Sequence, residues 1–334
     1  MTATPSITVD DVIHLDVVIV NYNTSDLLME TLDDLDEHLP APYDSTVYVV
    51  DNLSSDDSVD RMRNERPNVA LIETGVNGGF CRGNNAGIRV GTGEYVLLVN
   101  TDTRLFPGTV EAMMDKIQSD PRIGAVGPRL EYADGRFQPA MTGAVLSLWS
   151  YFTWATGLSK LAERVPRLEG CWTMADRRRD EKVGWVASSC LLLRRSAIEE
   201  IGLMDERIFL YMDDMDLCDR LGKAGWSTWR LGNTRAVHFM SGGDRRAIGT
   251  ISPHTVDSLV RWFERRYGKA RTGLLRTLGV FAHGSRGLLI WAAYLREPTE
   301  LRKDRALVQL NIARYFVRSG VTPPTLINSS TSTE

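Results

Sequence analysis

Short apolar runs of four or five residues alternate along the chain with stretches whose apolar side chains recur every three or four positions. Residues 16–20, DVVIV, read as a buried strand that ends in Asn21, Tyr22 and Asn23. Leu27, Leu28, Leu32, Leu35 and Leu39 then follow at helical spacing, predicting a helix over 25–39. Residues 46–50 repeat the pattern and stop at Asp51 and Asn52, before a Ser/Asp cluster at 54–58 that would cap a helix through Glu65. A third strand is expected at 69–73. The run YVLLV at 95–99 is a fourth, preceded by Gly91 and Gly93 and breaking abruptly into Asn100, Thr101 and Asp102. Helices over 108–119, 197–201 and from near Asp214, and strands over 123–126, 185–193 and 227–231, continue the alternation. This order predicts an α/β fold with a mostly parallel, doubly wound sheet flanked by helices. In open sheets of this kind ligands sit at the carboxyl ends of the strands, where Asp102 stands. Asp102 there suits a divalent cation held against a diphosphate, because hard oxygen donors suit Mg2+ or Mn2+. A second reading makes Asp102 or Thr103 the N-cap of the helix that starts near Pro107.

Three further stretches carry candidate chemistry. The loop GVNGGFCRGNNAG, 75–87, feeds a helix towards Val90; glycines allow close backbone approach and a helix N-terminus favours anions. Its spacing is neither that of a Walker loop nor GxGxxG. The segment 205–221 gathers Asp205, Glu206, Asp213, Asp214, Asp216 and Asp219. Like charges crowded into one helical turn raise at least one pKa, which makes such a carboxylate a candidate general base, although N-cap acids on an exposed helix look the same in sequence. His238 stands close to Gly242 and Gly243, and a lone His is more often structural than a ligand. Residues 139–180 are aromatic and irregular and read as an insertion that would line an acceptor site.

Composition changes the picture mainly at the C-terminus. The chain of 334 residues carries a net charge of -4, but residues 255–318 hold thirteen Lys and Arg against five acids, leaving +8 there and -12 elsewhere. A basic tail on an acidic body fits contact with lipid headgroups or polyphosphates; a solvated helical face is the plainer alternative. Residues 258–267 place Leu259, Trp262 and Phe263 among Arg261, Arg265 and Arg266, as an interfacial helix would, or as a helix packed on protein. The apolar stretch 287–295 is too short to span a bilayer. The four cysteines form no CxxC pair, so neither a zinc site nor a disulfide framework is indicated, and the acidic N-terminus lacks the apolar core of a secretory signal. The expected organisation is a disordered lead at 1–14, a catalytic domain at 15–250, a basic helical extension at 251–320 and a disordered tail at 321–334. A reducing, cytoplasmic setting fits best.

Taken in order, VVIVNYN at 17–23, VVDN at 49–52, NGGFCRGNNAG at 77–87, LLVNTD at 97–102, DERIFLYMDDMDLCDRL at 205–221 and then His238 resemble the family 2 inverting glycosyltransferases of GT-A fold. The resemblance covers roughly residues 15–245 and is nearest to rhamnosyltransferase-like members that decorate lipid-linked glycans. It implies a nucleobase contact at Asp51, with Asn21 and Asn23 beside the base or ribose. It implies that Gly79, Arg82 and Asn85 lie against the nucleotide, as do Asn100 and Asp213. Asp102 matches the last acid of the metal-binding DxD motif, here reduced to Asn-Thr-Asp; His238 matches a second metal ligand and Asp214 the catalytic base. The QxxRW motif of processive synthases is absent, which implies addition of one or few sugars. The implied partners are Mg2+ or Mn2+, a dTDP- or UDP-sugar, a lipid-linked glycan acceptor, the inner face of the plasma membrane and a second copy of the chain, but not nucleic acid. Galactosyl, glucosyl or galactofuranosyl transfer, or a non-catalytic membrane- or carbohydrate-binding scaffold, are the alternatives; a nucleotidyltransferase would carry a basic Gly-rich loop where NYNTSD stands.

Overall fold

The computed structural model describes residues 13–40, 43–239 and 253–318, so nearly all of the expected lead, the expected boundary near 250 and the tail lie outside the described residues. The chain divides into two compact units after Gly249. In the first, β1 (His14–Asn21), α1 (Ser25–His38), β2 (Asp44–Asp51), α2 (Ser58–Glu65), β3 (Ala70–Glu73), α3 (Phe80–Val90) and β4 (Tyr95–Val99) alternate as the pattern predicts. They are followed by β5 (Thr103–Leu105), α4 (Thr109–Gln118), β6 (Ile123–Glu131), β7 (Thr142–Gly143) and α5 (Leu148–Thr156). Next come β8 (Glu181–Val183), β9 (Trp185–Val186), β10 (Cys190–Arg194), α6 (Arg195–Ile201), α7 (Asp213–Lys223) and β11 (Ser227–His238).

Nine of these strands form one sheet in the order β3-β2-β1-β4-β10-β6-β11-β5, with β8 beside β11. The pairs β3-β2, β2-β1, β1-β4 and β6-β11 are parallel; β10 runs against both β4 and β6, while β5 and β8 run against β11. The sheet is thus mostly parallel, as expected. Val17, Val18 and Ile19 of β1, Val96, Leu97 and Leu98 of β4 and Leu191, Leu192 and Leu193 of β10 are all fully buried, because helices cover both faces. Asp16, the charge that opens the apolar run of β1, is satisfied by the Arg195 guanidinium at 2.6 Å and the Gly93 N–H at 2.7 Å.

Several local expectations are corrected. Neither Asp102 nor Thr103 caps a helix: Thr103 opens β5, and Gly108 precedes α4. The expected strand 185–193 is two strands, β9 and β10, separated by a bend at 187–189, whereas the expected strand 227–231 runs on to His238 as β11, across an irregularity between Leu231 and Arg235. The N-cap of α2, Asp57, makes no side-chain cap bond; Asp56 accepts instead from the Ser58 N–H (3.1 Å) and, across the turn, from the Ser25 N–H (3.0 Å). The aromatic insertion contains α5, entered through a capping box at Ser147 and Ser150. Tyr151, Trp154 and Trp172 pack on one another, with Tyr151 and Trp172 buried, so these rings form a small core, while Trp149 is exposed and stacked on Phe152.

The second unit is a helical hairpin. α8 (Pro253–Arg296) breaks at Gly268, where φ is 80°, and α9 (Glu300–Arg318) returns against its second half. A Cβ on Gly279 would meet the Phe316 ring at 2.5 Å, and one on Gly287 would meet Leu310 at 2.8 Å, so these glycines set how closely the helices approach. His283 stacks on Phe316 and its Nδ1 lies 2.7 Å from the Gln309 amide oxygen. Trp262 and Phe263 are buried and in contact with Tyr267, as the packed one of the two readings of 258–267 requires. Leu274, Phe281, Leu288 and Leu295, seven residues apart, are exposed instead. Among the described residues no helix is long and apolar enough to cross a membrane.

Candidate active site

The carboxyl ends of β1 and β2 lie side by side, with Asn21 in register with Asp51. The Asn21 amide donates to Asp51 Oδ1 and to the Ser54 hydroxyl, both at 3.0 Å, and its oxygen accepts from the Thr24 hydroxyl at 2.8 Å. Asp51 Oδ2 accepts the Ser54 N–H at 2.9 Å. Asn23, held at a left-handed φ of 53°, donates its N–H to the Ser54 hydroxyl and accepts the Ser55 N–H at 2.7 Å. These contacts fix a carboxylate and two amides on one polar rim before any ligand arrives. Ser54, Ser55 and Thr24 complete it, and only the polar break after each strand signals them in sequence.

The next turn begins a helix earlier than expected. α3 starts at Phe80, so Arg82 and Asn85 are helical and only the glycines before them form a loop. Gly79 has φ +84°, and a Cβ there would stand 2.5 Å from the Phe209 carbonyl oxygen, which itself accepts the Phe80 N–H. Only glycine lets the 209 loop approach the start of α3 so closely. Asn85 is buried and both ends of its amide are used: it donates to the Met204 carbonyl (2.9 Å) and Glu206 (3.0 Å) and accepts the Met204 N–H (3.0 Å). These contacts hold the 204–206 segment against α3. Arg82, in the first turn of α3, is exposed.

At the end of β4 the chain turns sharply, with the Thr103 N–H bonded to the Asn100 carbonyl, and β5 pairs with the end of β11 so that Thr103 faces His238. The Phe239 N–H donates to the Asp102 carbonyl at 2.9 Å. This ladder brings Asp102 Oδ1 to 3.3 Å from His238 Nε2 although 136 positions separate them. Both side chains are mostly buried. The opposite ring nitrogen, Nδ1, lies 3.1 Å from the Gln138 amide oxygen. Among the described residues no three His, Cys, Asp or Glu side chains gather as a metal site. An acid and an imidazole at this distance fit a divalent cation whose remaining donors come from a bound diphosphate and water.

The third group opens α7. Tyr211 and Met212 both take left-handed φ values, 64° and 68°, a costly conformation for such side chains, and they deliver Asp213 and Asp214 to the first turn. Asp213 is buried and accepts the Ser188 hydroxyl at 2.6 Å; Asp214 keeps partial access and accepts the Met215 N–H at 2.7 Å. Desolvation raises the Asp213 pKa, opposed by the Ser188 bond. Desolvation first, and then the Asp213 charge, push the Asp214 carboxyl well above the ordinary carboxylate range. The other acids of the cluster are structural: Asp216 pairs with Arg220, Asp219 with Lys223, Asp205 with Arg207 and Glu206 with Arg89. The bend at 187–189 links this turn to the end of β4, since the Ser189 carbonyl accepts the Asn100 N–H at 3.0 Å and the Thr103 hydroxyl at 3.1 Å. Ser188 and Gln138 carry no pattern that sequence reasoning could have found.

Comparison with known proteins fits this arrangement. The chain is 30% identical over 314 residues to the N-acetylglucosaminyl-diphospho-decaprenol L-rhamnosyltransferase of Mycobacterium tuberculosis, covering 87% of this chain and 95% of that protein. It is 28% identical over 238 residues to the amylovoran biosynthesis glycosyltransferase AmsB of Erwinia amylovora, covering 68% and 70%. Among solved structures, the mannosyltransferase PcManGT from Pyrobaculum calidifontis in complex with GDP-Man and Mn2+ superposes with a TM-score of 0.58 at 18% identity, covering 92% of this chain and 86% of that one. GalNAc-T7 with UDP, GalNAc and Mn2+ gives 0.57 at 15% identity, covering 77% and 49%. These two share the fold. The model of glycosyl transferase family 2 matches residues 16–202, more than half the chain. With the ordered strand ends and the acidic turn in place, the chain belongs to glycosyl transferase family 2 and is a glycosyltransferase.

Proposed function

We propose that this glycosyltransferase moves L-rhamnose from dTDP-rhamnose to a hydroxyl of a lipid-linked glycan, with inversion at the anomeric carbon. The observation that carries the reading is the Asp213-Asp214 turn, tied through the 187–189 bend to the strand end that bears Asp102 and His238. The sugar and acceptor rest on the mycobacterial rhamnosyltransferase, similar over nearly its whole length. Asn23 and Asp51 would receive the base and ribose, with Asn21, its amide engaged by Asp51, Ser54 and Thr24, holding that rim in place; Gly79, Arg82 and Asn85 would line the nucleotide side, and Asn100 with Asp213 the remainder of the donor.

Asp214 does the proton work. Its raised pKa makes it a stronger base than an exposed carboxylate, and its partial exposure leaves it open to an incoming hydroxyl. Asp213, anchored by Ser188, keeps its neighbour's basicity high and its position fixed. Asp102 and His238 would hold Mg2+ or Mn2+, which supplies charge neutralisation for the leaving diphosphate. The basic second unit, with Leu274, Phe281, Leu288 and Leu295 outward, suits attachment to an anionic bilayer surface, where a lipid-linked acceptor would reside on the cytoplasmic face.

The test is a panel of dTDP- and UDP-sugars assayed for metal-dependent transfer to a polyprenyl-diphospho-sugar, with Asp214→Asn as control. Rhamnose transfer from dTDP-rhamnose and a loss in kcat of about a hundredfold or more in the variant, with donor binding intact, are expected. Full turnover by Asp214→Asn would end the assignment of the base, and turnover of another donor alone would end the assignment of the sugar.

A further inference from the structure

Gln138 is fully buried at the end of a turn that pairs Glu131 with Phe137, and its backbone N–H is already used by the Leu130 carbonyl at 2.9 Å. Its side chain is a different matter. The amide oxygen lies 3.1 Å from His238 Nδ1, and the amide nitrogen 3.5 Å from the carbonyl oxygen of the same residue. One buried amide therefore faces both the ring and the backbone of His238, across 100 positions of sequence.

We propose that Gln138 is a positioning residue for cation binding: it fixes the tautomer and the rotation of the His238 ring, so that Nε2 is the nitrogen offered beside Asp102. Oxygen faces both ring nitrogens, Gln138 at Nδ1 and Asp102 Oδ1 at 3.3 Å from Nε2; a cation held beside Asp102 would take the Nε2 lone pair, and the ring proton would then lie on Nδ1, where the Gln138 oxygen accepts it. Without that acceptor, the ring can rotate by half a turn and present carbon to the site, or carry its proton on Nε2. Either change removes one of the two protein donors. β6 pairs with β11 as far as Glu131 and Val237, so the sheet itself carries Gln138 to the neighbouring position. The alternative is that Gln138 only holds the 131–137 turn against β11. This inference rests on the reading of Asp102 and His238 as metal ligands.

The experiment measures Mn2+ binding to the full chain by electron paramagnetic resonance, with dTDP or UDP present and no turnover. Variants are Gln138→Met, which lacks a strong acceptor, Gln138→Glu, which keeps an oxygen at the same reach, and His238→Ala. Loss of an outer partner of a metal-binding histidine weakens affinity by about 10- to 100-fold. The expected result is a loss of that size in Gln138→Met, binding close to the parent in Gln138→Glu, and the largest loss in His238→Ala. Parent-like binding by a folded Gln138→Met, or equal losses in the Met and Glu variants, overturns the proposal. If Gln138→Met does not fold, weakened binding by a folded Gln138→Glu overturns it, and retained binding supports it. Parent-like Mn2+ binding by His238→Ala would show that the metal reading itself fails, a separate outcome.

Discussion

Acid should loosen the C-terminal hairpin through one side chain. His283 sits between α8 and α9, stacked on Phe316, and burial drives its pKa from 6.5 down to about 4; the Arg286 charge pushes the same way and the Gln309 bond opposes. The folded value lies below the unfolded one, so on acidification the unfolded segment takes up the proton first. His283's contribution is complete above pH 6.5 and lost as pH falls towards 4. At about 1.4 kcal/mol per unit of pKa difference, the full loss is about 3 kcal/mol, and linkage gives about 1.4 kcal/mol of it by pH 5.5. That is a tenfold change in the opening equilibrium. Hydrogen exchange of the amides in 272–316, corrected for the intrinsic effect of pH, reads it directly. Protection should fall about tenfold between pH 7.5 and 5.5 in the parent, and less than twofold in His283→Leu, which has no titrating group. Equal losses in the two proteins would refute the linkage.

Two further outcomes are expected. Because the Asp214 pKa is raised, activity should fall as pH drops through a value well above 3.8, and the acid limb of the kcat profile should lie there; a limb at the ordinary carboxylate value would remove Asp214 as the titrating base. Replacing Phe281 and Leu288 together by Ser should weaken flotation with vesicles containing anionic phospholipid by about tenfold or more, because each apolar side chain contributes about 1.5–3 kcal/mol when fully buried; parent-like flotation would sink the membrane proposal.

The strand ends that bear Asn21, Asp51 and Asp102 were legible because a buried strand must be apolar and its exit polar, so the break in pattern marks both the element and its working end. The start of α7 was legible for a related reason, since Asp213 and Asp214 suit the positive end of a helix. Direction was not legible: the run at 190–194 is equally apolar whether it lies parallel or antiparallel between its neighbours. Nor was β5, whose three residues are too few for a period to show. The length of β11 was hidden because Gly232, Asn233 and Thr234 interrupt the apolar pattern after 231, yet they form only an irregularity within the strand. Gln138 and Ser188 stayed invisible because each acts through one contact made across the sheet. The start of α3 was hidden because a Gly- and Asn-rich string resembles a loop even after a helix has begun.

The reversed strand β10 also bears on how the enzyme comes into being. Val99 pairs with Cys190, some ninety positions further on, and α7 and β11 follow later still. A nascent chain that has emerged only as far as β4 already holds the Asn21–Asp51 rim, yet lacks every group assigned to proton transfer. Closing so wide a loop is slow relative to forming the early βα units. The Asn21–Asp51 pairing is thus a local product of neighbouring βα units, whereas the Asp213–Asp214 turn and His238 reach the same end of the sheet only through pairings of long range.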